Sequence, residues 1–204
     1  MGKYEEYMGF DNLVAAEIIT DDADTYETGE VFSVAPAGEI KKSTERSTAT
    51  KYYDNKAFLN VNGEGSDAVE LVVPVLPLDI EAKLTNKTQD PETKVLLDSG
   101  VPVTKYFALG YRLMKTDGTY RCIWKNKGSF TMGDEETKSK SGSADSNNTT
   151  ITYTAIPTVH IFKKENKPSK TMTADEFDNA IITDKWFDQV VTPDNLATLN
   201  KTSV

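Results

Sequence analysis

The chain has 204 residues, a formal charge of −9 and one cysteine. That is enough chain for a single domain with its own core. The acidic balance argues against a protein that grips nucleic acid, because that affinity comes from lysine and arginine displacing counterions. An acidic surface still suits a protein that lets DNA slide past without sticking.

Cys122 stands alone, so no disulfide framework forms within the chain and folding in a reducing cytosol is expected. The opening residues MGKYEEYMGFDN lack the basic start and apolar run of a secretory signal. No apolar stretch is long enough to span a bilayer.

In chain order, residues 1–12 are polar and acidic and predict an N-terminal arm. Residues 13–20 (LVAAEIIT) predict a first strand, 21–30 an acidic loop and 31–35 a second strand. From 36 to 67 the pattern is diluted by Thr, Lys, Ser, Asn and Gly, with Tyr52, Tyr53, Asp54 and Asn55 as its one aromatic punctuation. An excursion of that length in a compact domain is usually functional or mobile. Residues 68–75 (AVELVVPV) predict a strong strand that Pro74 places at an edge or at its exit from the sheet. Pro77 then starts a short helix over 78–86, with Ile80 and Leu84 one turn apart. Residues 88–102 read as a loop around Val95, Leu96 and Leu97.

The clearest pattern is at 106–130 (YFALGYRLMKTDGTYRCIWKNKGSF), which predicts a long β-hairpin turning at Asp117-Gly118. A two-residue turn there sets Leu113 opposite Cys122 and Tyr111 opposite Trp124. Phe107, Leu109, Tyr111, Leu113, Cys122 and Trp124 then share an aromatic and apolar face. Arg112, Arg121, Lys125 and Lys127 share the other face with Ala108, Gly110, Met114 and Ile123.

Residues 131–148 have almost no apolar content and read as a second solvated excursion. Residues 149–156 (TTITYTAI) predict a strand with Ile151, Tyr153 and Ala155 on one face and threonines on the other, and 158–162 one more. The spacing Thr173-x-x-Glu176 is a capping box leading into a helix with Phe177, Ala180 and Ile181 on one side. Thr183 and Asp184 predict a second helix carrying Trp186, Phe187 and Val190, stopped by Pro193.

Motifs that carry chemistry are missing from this sequence. His160, the one histidine, has no second ligand at metal spacing and reads as a partly exposed strand residue. Cys122 has no histidine near it and reads as a small core residue. Asp21, Asp22 and Asp24 resemble the start of a calcium loop, but the required Gly and Glu do not follow at the right spacing. There is no phosphate-binding loop, nucleophile elbow or dinucleotide fingerprint. No catalytic residue, cofactor or metal is therefore expected, and the chain reads as built for contacts rather than as an enzyme.

The block FALGYRLMKTDGTYRCIWKNKGSF, followed by Glu-Glu-Thr-Lys at 135–138 and a Thr-rich strand, resembles the major tail proteins of long-tailed bacteriophages, in the family typified by phages of Gram-positive hosts. The likeness includes the Tyr-x-Asp-Asn motif at 52–55, the Pro-Leu-x-Ile-x-Ala helix start at 77–82, and Trp186-Phe187 with Pro193, in the same order. Family members often carry a small residue where Tyr53 stands.

The resemblance implies a mainly β (α+β) fold: a β-sandwich or barrel-like tail-tube domain at 13–163, with a short flanking helix, long loops and a C-terminal helical segment at 164–204. It implies a virion protein, made and assembled in the host cytoplasm, whose hexameric rings stack into a hollow tube for DNA delivery. The implied partners are other copies of itself and the tape measure, tail terminator and baseplate proteins. DNA would pass through without specific binding, and no membrane is involved. On that reading Glu70, Thr150, Thr152 and Thr154 are expected to face the lumen. Tyr52, Tyr53, Asp54, Asn55, Arg112, Arg121, Lys125 and Lys127 are expected at contacts between subunits. The alternative is a β-sandwich module binding carbohydrate or a receptor through Tyr52 and Tyr53.

Overall fold

The computed structural model describes residues 4–36, 38–85, 87–101, 103–133 and 148–199. In chain order the elements are β1 (Tyr7–Asp21), β2 (Tyr26–Thr28), β3 (Phe32–Ser33), β4 (Glu39–Tyr53), β5 (Lys56–Val73), α1 (Leu78–Leu84), β6 (Thr88–Gln89), β7 (Leu96–Leu97), β8 (Phe107–Lys115), β9 (Tyr120–Met132), β10 (Thr149–Ala155), β11 (Thr171–Asp175), α2 (Glu176–Thr183) and α3 (Leu196–Leu199). The fold is mainly β, of the α+β class. One nine-stranded antiparallel sheet runs β2-β1-β8-β9-β10-β5-β4, with β3 on β1 and β11 on β9. The excursion of residues 131–148 falls mostly outside the described residues, as do 135–138 and the side chains of Ala180 and Ile181.

The hairpin at the centre of the sequence forms as β8 and β9, but its register differs from expectation by one residue. Tyr111 pairs with Ile123, Leu113 with Arg121, and Arg112 with Cys122. The cause is the turn. Lys115 N donates to Thr119 O at 2.9 Å and Gly118 N to Lys115 O at 3.0 Å, closing a three-residue loop with Gly118 at φ +83°. Asp117 Oδ1 accepts from both the amide and the hydroxyl of Thr119, which favours this loop over the two-residue turn. Because side chains alternate, the slip moves every β9 residue near the turn to the opposite face. Ile123 therefore joins Phe107, Leu109 and Tyr111, while Cys122 and Trp124 join Ala108 on the other side.

Both faces of this half of the sheet are covered. On the inward side, Leu13 and Ala15 (β1), Val69, Leu71 and Val73 (β5), Ile151 and Tyr153 (β10) and Leu84 (α1) form one cluster with the β8 residues. One cluster shared by strands from β1 to β5 means that the sheet curls around it. The short α1 is held by that burial rather than by propensity. On the outward side, Val14, Ala16, Ala108, Cys122 and Trp124 pack against Trp186, Val190, Val191 and Leu199 of the C-terminal segment. Trp124 Nε1 donates to Trp186 O at 2.7 Å, which satisfies the indole within the apolar layer.

Several boundaries move. Residues 7–12, expected in an N-terminal arm, belong to β1, where Tyr7, Gly9, Phe10 and Asp11 pair with β8. From residue 39 on, the excursion expected at 36–67 is ordered as the hairpin of β4 and β5. β5 ends at Val73, and Val75 is exposed beyond Pro74. Thr173 does not cap a helix: it lies in β11, paired with Ile123, and Glu176 accepts from Tyr120 N at 2.8 Å. Trp186 and Val190 are buried without a helix around them, the second helix being α3 further on. His160 lies in a bend rather than a strand and is buried.

Candidate functional site

β4 and β5 pair along their whole length, from Glu39↔Val72 to Tyr53↔Lys56, but β10 accompanies β5 only from Asp67 to Val73. Beyond that point the two strands leave the body as a ribbon, and every residue from 45 to 65 is exposed. At the usual rise, residues 56–66 span about 35 Å. The turn at the tip suits its residues. Asp54 and Asn55 both adopt positive φ (48° and 59°), which these two side chains tolerate and which matches the twist of a two-residue hairpin.

Hydroxyl–amide pairs lock the register along one face of the ribbon. Thr48 Oγ1 donates to Asn62 Oδ1 at 3.1 Å and Thr50 Oγ1 to Asn60 Oδ1 at 2.9 Å. Ala49 and Val61 pair on the other face, as do Lys51 and Leu59. Near the tip, Tyr53 and Phe58 stack edge to face at 5.4 Å. Tyr52, Tyr53, Phe58, Leu59 and Val61 are all exposed, Phe58 at 77%. A two-stranded ribbon on its own is marginal in water, and clustered exposed aromatics mark a contact surface.

The root of the ribbon is a charged joint. A bulge between Thr44 and Arg46 faces Glu64 and Asp67. Asp67 is 1% exposed and accepts from Lys125 Nζ, itself buried, with Lys42 at 3.4 Å and Lys170 at 3.2 Å. Lys170 also donates to Glu64 Oε1 at 2.6 Å and Gly65 O at 3.2 Å, tying the bulge to the segment before β11. Burial alone pushes the Asp67 carboxyl up, but the lysine hydrogen bonds and charges outweigh it and hold the group below the usual carboxylate range.

The expected lumen residues do fall together. Thr152 pairs with Glu70 and Glu70 with Lys41; Thr150 pairs with Val72, and Thr154 with Ala68. Period two puts these on the outward face of β10, β5 and β4, with Thr131 and Ser129 of β9 beside them. The C-terminal segment covers the outward face of β1, β8 and β9, and its apolar contacts do not include this half. This face is mainly hydroxyl, with Glu70 and Lys41 adjacent and opposite in sign.

The expected basic contact face does not exist as one surface. The register slip splits it, and each cation has a carboxylate within the chain. Arg112 holds Asp11 through two nitrogens at 2.5 and 3.1 Å, and Arg121 holds Asp175 at 2.9 and 2.6 Å. Lys127 meets Asp21 at 2.6 Å, and the same Asp21 accepts from Val159 N and His160 N, fixing the loop that carries the histidine. Lys125 and Lys127, expected at a contact between subunits, are buried within the chain itself. Tyr52, Tyr53, Asp54 and Asn55, by contrast, sit at the ribbon tip.

Burial pushes the Cys122 thiol up to about 11, away from nucleophilic use. Among the described residues, no three His, Cys, Asp or Glu side chains gather as a metal site. No helix there is long and apolar enough to cross a membrane. Sequence reasoning missed the Asp67 joint and the ribbon itself. A signal for the first was present: Asp67 is in phase with Val69, Leu71 and Val73, so an inward carboxylate was implied. No protein-family model matches the chain, and no curated protein is significantly similar to it.

Proposed function

We propose that the protein is a structural subunit that assembles with copies of itself into a hollow tube, as a phage tail tube protein. On the resemblance in its sequence, six copies form each ring, and the stacked rings deliver DNA from the virion. The observation that carries the reading is the ribbon of β4 and β5, a long projection whose residues 45–65 are all exposed and whose aromatic tip, among the described residues, has no other strand beside it. A projection of that kind is stabilised when a second molecule covers it.

The hydroxyl face of Glu70, Thr150, Thr152 and Thr154 supports the same reading. It offers phosphate no cluster of cations, so DNA would slide along it rather than bind. The tape measure, tail terminator and baseplate proteins are the further partners the resemblance implies.

Negative-stain electron microscopy of the purified chain over a concentration series tests the proposal. Rings and stacked tubes are the expected result. A monomer at every concentration that binds glycans through Tyr52 and Tyr53 would replace it with the carbohydrate-binding alternative.

A further inference from the structure

A cleft of about 620 Å³ opens beside the root of the ribbon. Its floor is apolar, formed by Tyr111, Leu113 and Ile123, with Phe10 and Ile40 on its walls. Two strand edges border it. Among the described residues β4 pairs only with β5, and β11 pairs only with β9, so each presents an edge without a further strand. Lys42 and Arg121 stand at the rim with side chains 46% and 38% exposed, and Glu39 lies beside them.

We propose that this cleft receives the ribbon tip of a second copy of the chain; the inference rests on the self-assembly reading and names its acceptor surface. The molecule's own tip does not fill the cleft, since Tyr52, Tyr53 and Phe58 are all exposed and the ribbon runs outward from the cleft's edge. The fit is one of chemistry as well as shape. The tip brings an edge-to-face aromatic pair to an apolar floor. The Asp54 carboxylate has the half-exposed Lys42 to meet, Arg121 being held by Asp175, and Lys51 and Lys56 beside it have Glu39.

Donor and acceptor are different patches of one molecule, and every copy carries both. Such a contact is heterologous and does not saturate in a pair, so each copy that donates its tip leaves its own cleft for the next. The bulge at Thr44 and Arg46, with Lys170 across it, then sets the angle at which one subunit meets another.

The test is photo-crosslinking with p-benzoylphenylalanine placed at Phe58, and in a second protein at Tyr52, both exposed positions where the body has nothing to lose. Isotopically heavy and light chains are mixed at assembling concentrations, irradiated and digested, with electron microscopy of the same samples. The expected result is heavy–light cross-linked peptides containing 7–10, 40–42, 111–113 or 171–173. Tubes whose cross-links fall outside those segments would overturn the cleft as acceptor and leave self-assembly standing. Absence of both cross-links and assemblies would overturn the acceptor and the proposed function together.

Discussion

Along β5 the inner residues, 67–73, carry a buried side chain at every second position, whereas residues 56–65 are exposed throughout. The backbone is one continuous strand; the source of its order changes at Asp67. The inner half is held by burying Val69, Leu71 and Val73, at about 25 cal/mol per Å² of apolar surface. Among the described residues the outer half pairs with β4 alone, and cross-strand pairs contribute about 0.2–1 kcal/mol each. The ribbon, which buries least, thus has most to gain from a partner.

The sharpest way to break that comparison is at the boundary. Asp67→Ala leaves Lys125 buried without its carboxylate, a change that costs about 3–5 kcal/mol. Urea denaturation should show that loss in the body. Lys125→Met leaves Asp67 with Lys42 and Lys170 and should cost less. Equal effects would mean that the joint is not organised around the carboxylate.

Acid acts on the same joint and its relatives. Asp67 and Asp21 are raised by burial but lowered further by their lysine partners, and Asp175 is lowered by its hydrogen bond from Arg121. Folded values below the unfolded value of about 3.9 give stability that is complete above about pH 5 and is lost as pH falls below 4. The urea midpoint should therefore hold from pH 7 to pH 5 and drop by pH 3. Amide protection within the ribbon, at 47–62, should follow pH much less once intrinsic exchange is corrected.

The smallest effect belongs to the ribbon alone. Thr50→Ala removes the hydroxyl donated to Asn60 and should weaken the ribbon by about 0.2–1 kcal/mol. Faster amide exchange near residues 48–62 with an unchanged urea midpoint is the expected pair of observations. A lower midpoint would mean that the ribbon and body unfold as one unit.

Much of the body was legible in the sequence because hydrophobic alternation and burial agree there. Ile151, Tyr153 and Ala155 face the core as their spacing predicts, and so do Ile80 and Leu84 of α1. The hairpin of β8 and β9 was legible in existence but not in register. Asp117 hydrogen-bonds Thr119, the loop gains one residue, and Cys122 and Trp124 change faces. The ribbon was illegible for a different reason. Its order comes from Thr–Asn pairs and a turn rather than from an apolar face, so the region looked like a loop. Thr173 misled because β11 found an open edge on β9, and a ladder with five registered pairs outweighed a capping box.

The most direct test of the central claim is cryo-electron microscopy of the full chain at high concentration. The account predicts hollow stacked rings, with the face of Glu70, Thr150, Thr152 and Thr154 turned to the bore and the β4–β5 ribbon crossing into another subunit. Particles that remain single chains, or a bore lined by lysine and arginine, would contradict it.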